Sequence, residues 1–175
     1  MAVNASGGAS QGRQGSQSSL SSTPGAVERR VFVMAPPRTV WATLHDQTAT
    51  TALFPELRLG PALPAWPAAA TTRSAQTRLG LLRDEAWVES LEARPESRFR
   101  IRVTGASFES EWSWRLEPVA GGTRVIHAAT FEPFDRWTSI LVRVGRASLA
   151  SRVEAHLREL KARSEAAQRG STARR

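Results

Sequence analysis

Histidine, cysteine and tyrosine, which often do acid–base or nucleophilic chemistry, are rare or absent in this chain. It has three histidines, no cysteine and no tyrosine, which excludes thiolate catalysis, thiolate metal ligands and phenolic acids. His127 lies in an alternating segment, on the same face as Val125, Ala129 and Phe131. An imidazole on an inward face would suit proton transfer to a ligand, because its pKa lies near neutrality. The simpler interpretation is a core histidine that is hydrogen-bonded to a neighbour.

The other ionisable candidates have weaker support. Glu85 is a candidate carboxylate in segment 82–93, but alternation does not fix the inward face there, because Trp87 shares its parity. His45 is predicted at a helix end and His156 on a charged helix, so we expect structural roles for both. The sequence contains no HExxH or His-x-His spacing, and we therefore predict no metal site and no cofactor.

Apolar and aromatic side chains that could bind a hydrophobic ligand recur on the inward faces of the predicted elements. The candidate ligand-binding residues are Phe99, Ile101, Phe108, Trp112, Trp114, His127, Phe131, Trp137, Leu141 and Val144. In most proteins such a cluster simply fills the core. Its indole N–H groups need partners in a dry site, so they could also orient the polar end of a ligand.

Strict alternation predicts the strands that carry these side chains. Residues 108–117 place their bulky apolar members on one face and charged members on the other. The Pro- and Gly-rich segment 118–123 predicts a hairpin turn to a second strand that carries His127. Further strands are predicted over about 27–34, 71–79, 82–93 and 97–104, with short connections that favour antiparallel neighbours.

Three helices are predicted: two short ones after the first strand and one long one near the end of the chain. Ala35-Pro36-Pro37 ends the first strand and opens a short helix that reaches His45, and a second short helix follows over about 48–53. Segment 60–70 holds three prolines and is predicted to be a loop that could shape a rim. From Asp135 onward, an apolar stripe with a period near 3.6 predicts one long helix to about Ala166.

Chain length and the distribution of charge limit the number of domains and the kinds of partner. The 175 residues divide into a predicted disordered leader (1–26), one domain (27–166) and a disordered basic tail (167–175). The start lacks the apolar core of a signal peptide and no later run reaches the length of a membrane span, so we expect a cytoplasmic protein. The net charge is +8, but the excess is concentrated after residue 145. No basic face with interleaved aromatics is evident, which does not favour nucleic-acid binding.

Two segments resemble a known superfamily. Residues 31–46, VFVMAPPRTVWATLHD, resemble the opening of the START-like, or SRPBCC, superfamily. Residues 112–130, with Leu-Glu-Pro and Gly-Gly-Thr-Arg-Val, resemble its last hairpin. The resemblance covers about residues 27–166. It implies the α+β helix-grip fold, in which a curved antiparallel β-sheet is wrapped around a long C-terminal helix, with two short helices after strand 1.

The resemblance also implies a cavity between sheet and helix that binds apolar molecules. Members of the superfamily include lipid and sterol carriers, polyketide aromatase/cyclases, coenzyme-Q-binding proteins and activators of a chaperone ATPase. Three functions therefore stay open. The first is binding of a small hydrophobic ligand (a lipid, an isoprenoid or a polyketide-like molecule) without catalysis. The second is a polyketide aromatase/cyclase in which His127 or Glu85 moves protons. The third is a protein- or membrane-interaction module that uses the basic last helix.

Overall fold

Residues 26–46, 53–61, 65–79, 82–134 and 136–172 are described by the computed structural model, without the side chains of residues 79, 82, 136–148 and 172. Within these ranges the chain forms eight strands and two helices. The strands are β1 (Val27–Val33), β2 (Leu57–Leu59), β3 (Thr72–Leu79), β4 (Leu82–Arg94), β5 (Arg98–Gly105), β6 (Phe108–Val119), β7 (Gly122–Ala129) and β8 (Glu132–Pro133); the helices are α1 (Pro37–His45) and α2 (Arg136–Thr172).

All described strands belong to one antiparallel sheet with the order β1-β7-β6-β5-β4-β3-β2, and β8 pairs with β6. From β2 to β7 the order in space follows the order in sequence, as expected when short connections join antiparallel neighbours. In the β6–β7 hairpin, Gly121 has a φ of +81°, a backbone conformation that glycine adopts without steric cost.

The inner face of the sheet carries the core. Alternate residues of β5 and β6 are buried, as the sequence predicts. Cross-strand register pairs Phe99 with Trp114 and Ile101 with Trp112, so large apolar side chains are neighbours on one face. The outer face of the same strands carries ion pairs, including those of Arg100 and Arg102 with Glu111.

Helix α2 lies across this inner face. Val153, Leu157 and Leu160 are buried at helical spacing, which is the amphipathic pattern of a helix that packs on a sheet. At about 1.5 Å per residue its 37 residues extend about 55 Å. Lys161 donates to the carbonyl oxygen of Phe32, and Glu165 accepts from the N–H of Met34. These bonds fix the helix to the end of β1.

The helix-grip arrangement predicted from the sequence is confirmed, and α1 follows β1 as expected. The predicted second helix (48–53) falls almost entirely outside the described residues, as do Asp135 and the predicted leader up to residue 25. The segment predicted as a disordered tail (167–175) overlaps the end of α2, which continues to Thr172. Thr39 donates to Gln168 at 3.3 Å, and this contact with α1 helps to hold the last turns helical.

Strands β2 and β8 were not predicted, because runs of three and two residues are too short to show alternation. In β4 the structure decides the inward face: Ala86, Val88 and Ser90 are buried, whereas Trp87 is 62% exposed. Glu85 is exposed as well, so the candidate inward carboxylate is on the outer face. The register also shifts between Ser90 and Glu92, which changes the face of later residues.

Candidate functional site

A cavity of about 30 Å³ lies between the inner face of the sheet and α2. Its apolar wall consists of Leu57, Val103, Phe108, Trp112, Ala129, Phe131, Leu149 and Val153. Its polar side chains are Glu56, Thr77, Ser110, His127, Arg152 and His156. The polar groups come from the turn before β2, from three strands and from α2, so only the folded sheet and helix bring them together.

His127 is fully buried on β7. Its ring stacks on Trp114, with centroids 4.5 Å apart and planes 10° from parallel. Its Nδ1 lies 3.0 Å from the carbonyl oxygen of Ser113 on the neighbouring strand. The pKa of His127 is lowered to about 3, chiefly by burial; the hydrogen bond to Ser113 opposes this shift, and the nearby charge of His156 adds to it. His127 is therefore neutral near pH 7.

A chain of polar contacts runs from His127 across the sheet–helix boundary. His127 Nε2 lies 3.3 Å from His156 Nδ1, and His156 Nε2 lies 2.7 Å from Glu56 Oε1. His156 is only 5% exposed. The distance between His156 and Glu56 is that of an ion pair.

The hydrogen-bond partners of an imidazole ring indicate which of its nitrogens carries a proton. A carbonyl oxygen only accepts, so His127 Nδ1 carries a proton and donates it to Ser113. The neutral His127 ring then has an unprotonated Nε2, which accepts from Nδ1–H of His156. Burial alone would raise the pKa of Glu56, but the contact with His156 and the charge of Arg152 outweigh burial and lower it. Glu56 is thus a carboxylate, and it faces Nε2 of His156.

The cavity contains some of the side chains that the sequence singled out. Phe108, Trp112, His127 and Phe131 line it, and Phe108 stacks on Phe131 with centroids 5.0 Å apart. Phe99, Ile101 and Trp114 are buried but belong to the packed core behind it. The side chains of Trp137, Leu141 and Val144 lie outside the described residues. Glu85 points away from the cavity, on the outer face of β4.

Sequence reasoning missed Glu56 and Arg152, and it assigned His156 a purely structural role. Glu56 precedes a three-residue strand that has no periodic signal. His156 did carry a signal: it lies three residues after Val153 and four before Leu160, within the buried stripe of α2. Within the described ranges, no group of three or more His, Asp or Glu side chains could hold a metal ion. No described helix has the length and apolar run needed to span a membrane.

Comparisons with known proteins agree with this architecture. The family described as polyketide cyclase / dehydrase and lipid transport matches residues 24–165. No curated protein is significantly similar to the chain in sequence.

Solved structures share the fold at low sequence identity. TTHA0849 from Thermus thermophilus is 22% identical with a TM-score of 0.65, over 81% of this chain and 98% of that one. DR_A0006 from Deinococcus radiodurans is 18% identical with a TM-score of 0.60, over 81% and 98%. The ZhuI aromatase/cyclase from a Streptomyces species is 15% identical with a TM-score of 0.62, over 80% and 93%.

Proposed function

Because the chain belongs to the polyketide cyclase/dehydrase and lipid transport family, we propose that it binds a small hydrophobic ligand in the cavity between the sheet and α2. The observation that carries this proposal is the composition of the cavity wall. Eight of the fourteen lining residues are apolar, and they include the aromatic side chains of Phe108, Trp112 and Phe131. A mostly apolar concave site with a few converging polar groups is the usual form of a small-molecule site.

The polar side chains of the wall are engaged with the protein itself. Ser110 donates to the carbonyl oxygen of Thr130, and its hydroxyl accepts from the indole N–H of Trp112 at 2.8 Å. Thr77 donates to the carbonyl oxygen of Asp84 at 3.3 Å. Because these groups already have partners, a ligand gains affinity here mainly through apolar contact.

The size of the cavity favours a compact ligand. Its volume of about 30 Å³ is far below the several hundred Å³ of a typical drug-sized site. Even a small organic ligand would have to displace lining side chains, and a long chain would displace more of them, at a greater cost in packing. A bicyclic hydrocarbon or a short isoprenoid alcohol is therefore a better first probe than a full-length lipid.

Two adjacent alanines of β7 provide the test. Ala129 lines the cavity and is 2% exposed, whereas Ala128 is half-buried on the opposite face. We expect naphthalene and geraniol to bind the wild-type protein in isothermal titration calorimetry and to quench Trp112 with saturation. Ala129→Leu places three more carbons in the cavity and lowers the affinity at least tenfold, whereas Ala128→Leu keeps it.

Circular dichroism and thermal unfolding confirm that both variants are folded before binding is compared. Absence of saturable binding by the wild-type protein, or equal affinity in the two variants, would contradict the cavity as the ligand site.

One observation favours a second candidate, a cyclase-type enzyme. The Glu56–His156–His127 chain places a histidine that contacts a carboxylate next to an apolar cavity. In an intramolecular aldol closure a carbon acid loses a proton, the new C–C bond forms, and the attacked carbonyl oxygen takes up a proton before water leaves. A histidine paired with a carboxylate could serve such a proton transfer.

The enzyme candidate is tested with a 1,5-diketone whose ring closure is followed by absorbance. His156→Gln should lower kcat at least a hundredfold, and Glu85→Gln, which changes an exposed carboxylate, should leave it unchanged. Ring closure no faster than in buffer argues for binding without catalysis.

A further inference from the structure

Arg73 is a buried cation outside the cavity described above. It lies on the inward face of β3 and is only 5% exposed. Thr77, which lines the cavity, is four residues further along the same strand, a distance of about 13 Å. Arg73 and the cavity therefore lie at different places along the inner face of the sheet.

The guanidinium of Arg73 has no carboxylate partner among the described residues. One nitrogen donates to the carbonyl oxygen of Gly60, and Nε is buried without a hydrogen-bond acceptor. Outside the described ranges the sequence holds a single acidic side chain, Asp135. Buried arginines are normally paired, because removing an unpaired charge from water is costly. Burial accordingly lowers the pKa of Arg73.

One aromatic ring contacts this cation, and further rings continue from it. The guanidinium carbon lies 5.2 Å from the ring centroid of Trp66, within the range of a cation–π contact. Trp66 meets Phe99 edge-on at 6.5 Å, and Phe99 meets His45 at 4.6 Å. His45 Nε2 is also buried without a hydrogen-bond partner in the described part of the chain. Arg73 Nε, a donor without an acceptor, thus lies beside a cluster of aromatic rings, whereas His45 Nε2 is the unprotonated nitrogen of a ring whose Nδ1 donates to the carbonyl oxygen of Trp41.

We propose that Arg73, with Trp66 and Phe99, forms a second binding site that takes the carboxylate of an aromatic or apolar acid. The planar fork of a guanidinium matches the two oxygens of a carboxylate, and the indole and phenyl rings suit an apolar body. A bound carboxylate supplies the acceptor that Nε lacks and the negative charge that the buried cation lacks. This site is independent of the cavity next to His127, so either can exist without the other.

The test compares 1-naphthoate with 1-naphthalenemethanol, which share a ring system and differ in charge, by calorimetry on the full chain. We expect the acid to bind at least tenfold more tightly than the alcohol at the Arg73 site. Inorganic phosphate, as a free anion without an apolar body, should bind more weakly than 1-naphthoate. Arg73→Met removes the charge and should abolish the preference for the acid, whereas Arg78→Met, at an exposed position of the same strand, should retain it.

Further variants separate this site from the cavity and from a structural role. Ala129→Leu should retain 1-naphthoate binding, because the cavity is not involved. Arg73→Lys keeps the charge without the planar fork and should weaken binding less than Arg73→Met. Without ligand, the Arg73→Met variant should be at least as stable as the wild type, since the substitution removes an uncompensated buried charge.

Each contrary result overturns the inference. Equal affinity for acid and alcohol would show that no cation recognises the ligand. Loss of 1-naphthoate binding in Ala129→Leu but not in Arg73→Met would assign the acid to the cavity. Unfolding of Arg73→Met would show that the guanidinium serves the fold.

Discussion

The ring of His127 is stacked on the ring of Trp114, its register partner on the neighbouring strand, with centroids 4.5 Å apart. The stack lies between the packed core and the cavity, because Trp114 contacts Phe54 and Phe99 while His127 lines the cavity. One face of the imidazole is thus covered, and its two nitrogens are engaged by Ser113 and His156. These contacts explain why His127 is neutral and why its protonation should affect stability.

Acid should destabilise the protein through His127. Its folded-state pKa is about 3 and its ordinary value is 6.5, so the unfolded chain binds the proton first as the pH falls. The stabilisation is complete above pH 6.5 and is lost progressively between pH 6.5 and pH 3, by about 1.4 kcal/mol per pH unit. Urea unfolding at several pH values measures how the free energy of unfolding depends on pH. The variant His127→Gln should lose the part of this pH dependence that His127 contributes. Identical slopes for the two proteins would refute a neutral His127.

Removal of the Glu56 carboxylate should also destabilise the fold. Glu56→Gln leaves the buried His156 without its counterion, and we expect a loss of about 3 kcal/mol in the free energy of unfolding. Glu159→Gln is the matched control, because Glu159 forms an exposed pair with Arg163, and its loss should be about 0.5 kcal/mol. The pKa of Glu56 is lowered, so its contribution is present above pH 4.5 and declines as the pH falls through its folded-state pKa. Equal losses for the two substitutions would argue against a buried ion pair.

Two tryptophans on opposite faces of the sheet should differ in their energetic roles. Trp114 is 1% exposed and Trp87 is 62% exposed. Trp114→Ala should cost about 3 to 5 kcal/mol because it leaves a large void, whereas Trp87→Ala should cost about 0.5 kcal/mol. Chemical unfolding of both variants gives the comparison. A large loss for Trp87→Ala would show that the outer face of β4 is covered in solution.

Close packing at the start of β7 should make one glycine irreplaceable. A Cβ at Gly122 would overlap the backbone carbonyl oxygen of Val33, but a Cβ at Gly170 would meet no atom within 4 Å. Gly122→Ala should therefore cost about 1 to 3 kcal/mol, while Gly170→Ala, near the end of α2, should stabilise by up to about 1 kcal/mol. Thermal unfolding should show Tm changes of opposite sign. A neutral Gly122→Ala would mean that β1 can shift away from β7.

Local periodicity was sufficient for much of the fold. In β5, and in β6 as far as Leu116, buried and more exposed residues alternate strictly, because one face packs on the core and the other faces water. The same argument located His127 on the inward face of β7 and Val153 and Leu157 on the buried stripe of α2. In β4, by contrast, apolar and acidic residues occur at both parities, so only pairing with β3 and β5 decided that Ala86 is buried and Trp87 exposed.

The sequence by itself therefore determined the sheet, the long helix and the inward position of His127, because each depends on repeats within a few residues. The tertiary structure alone decided the site. Glu56, His127 and His156 come from a turn, a strand and a helix that are distant in the chain, and no local pattern relates them. Their contacts arise only when α2 packs across the sheet. The low dielectric of that interface, which holds His127 neutral and strengthens the ion pair between Glu56 and His156, also exists only in the folded protein.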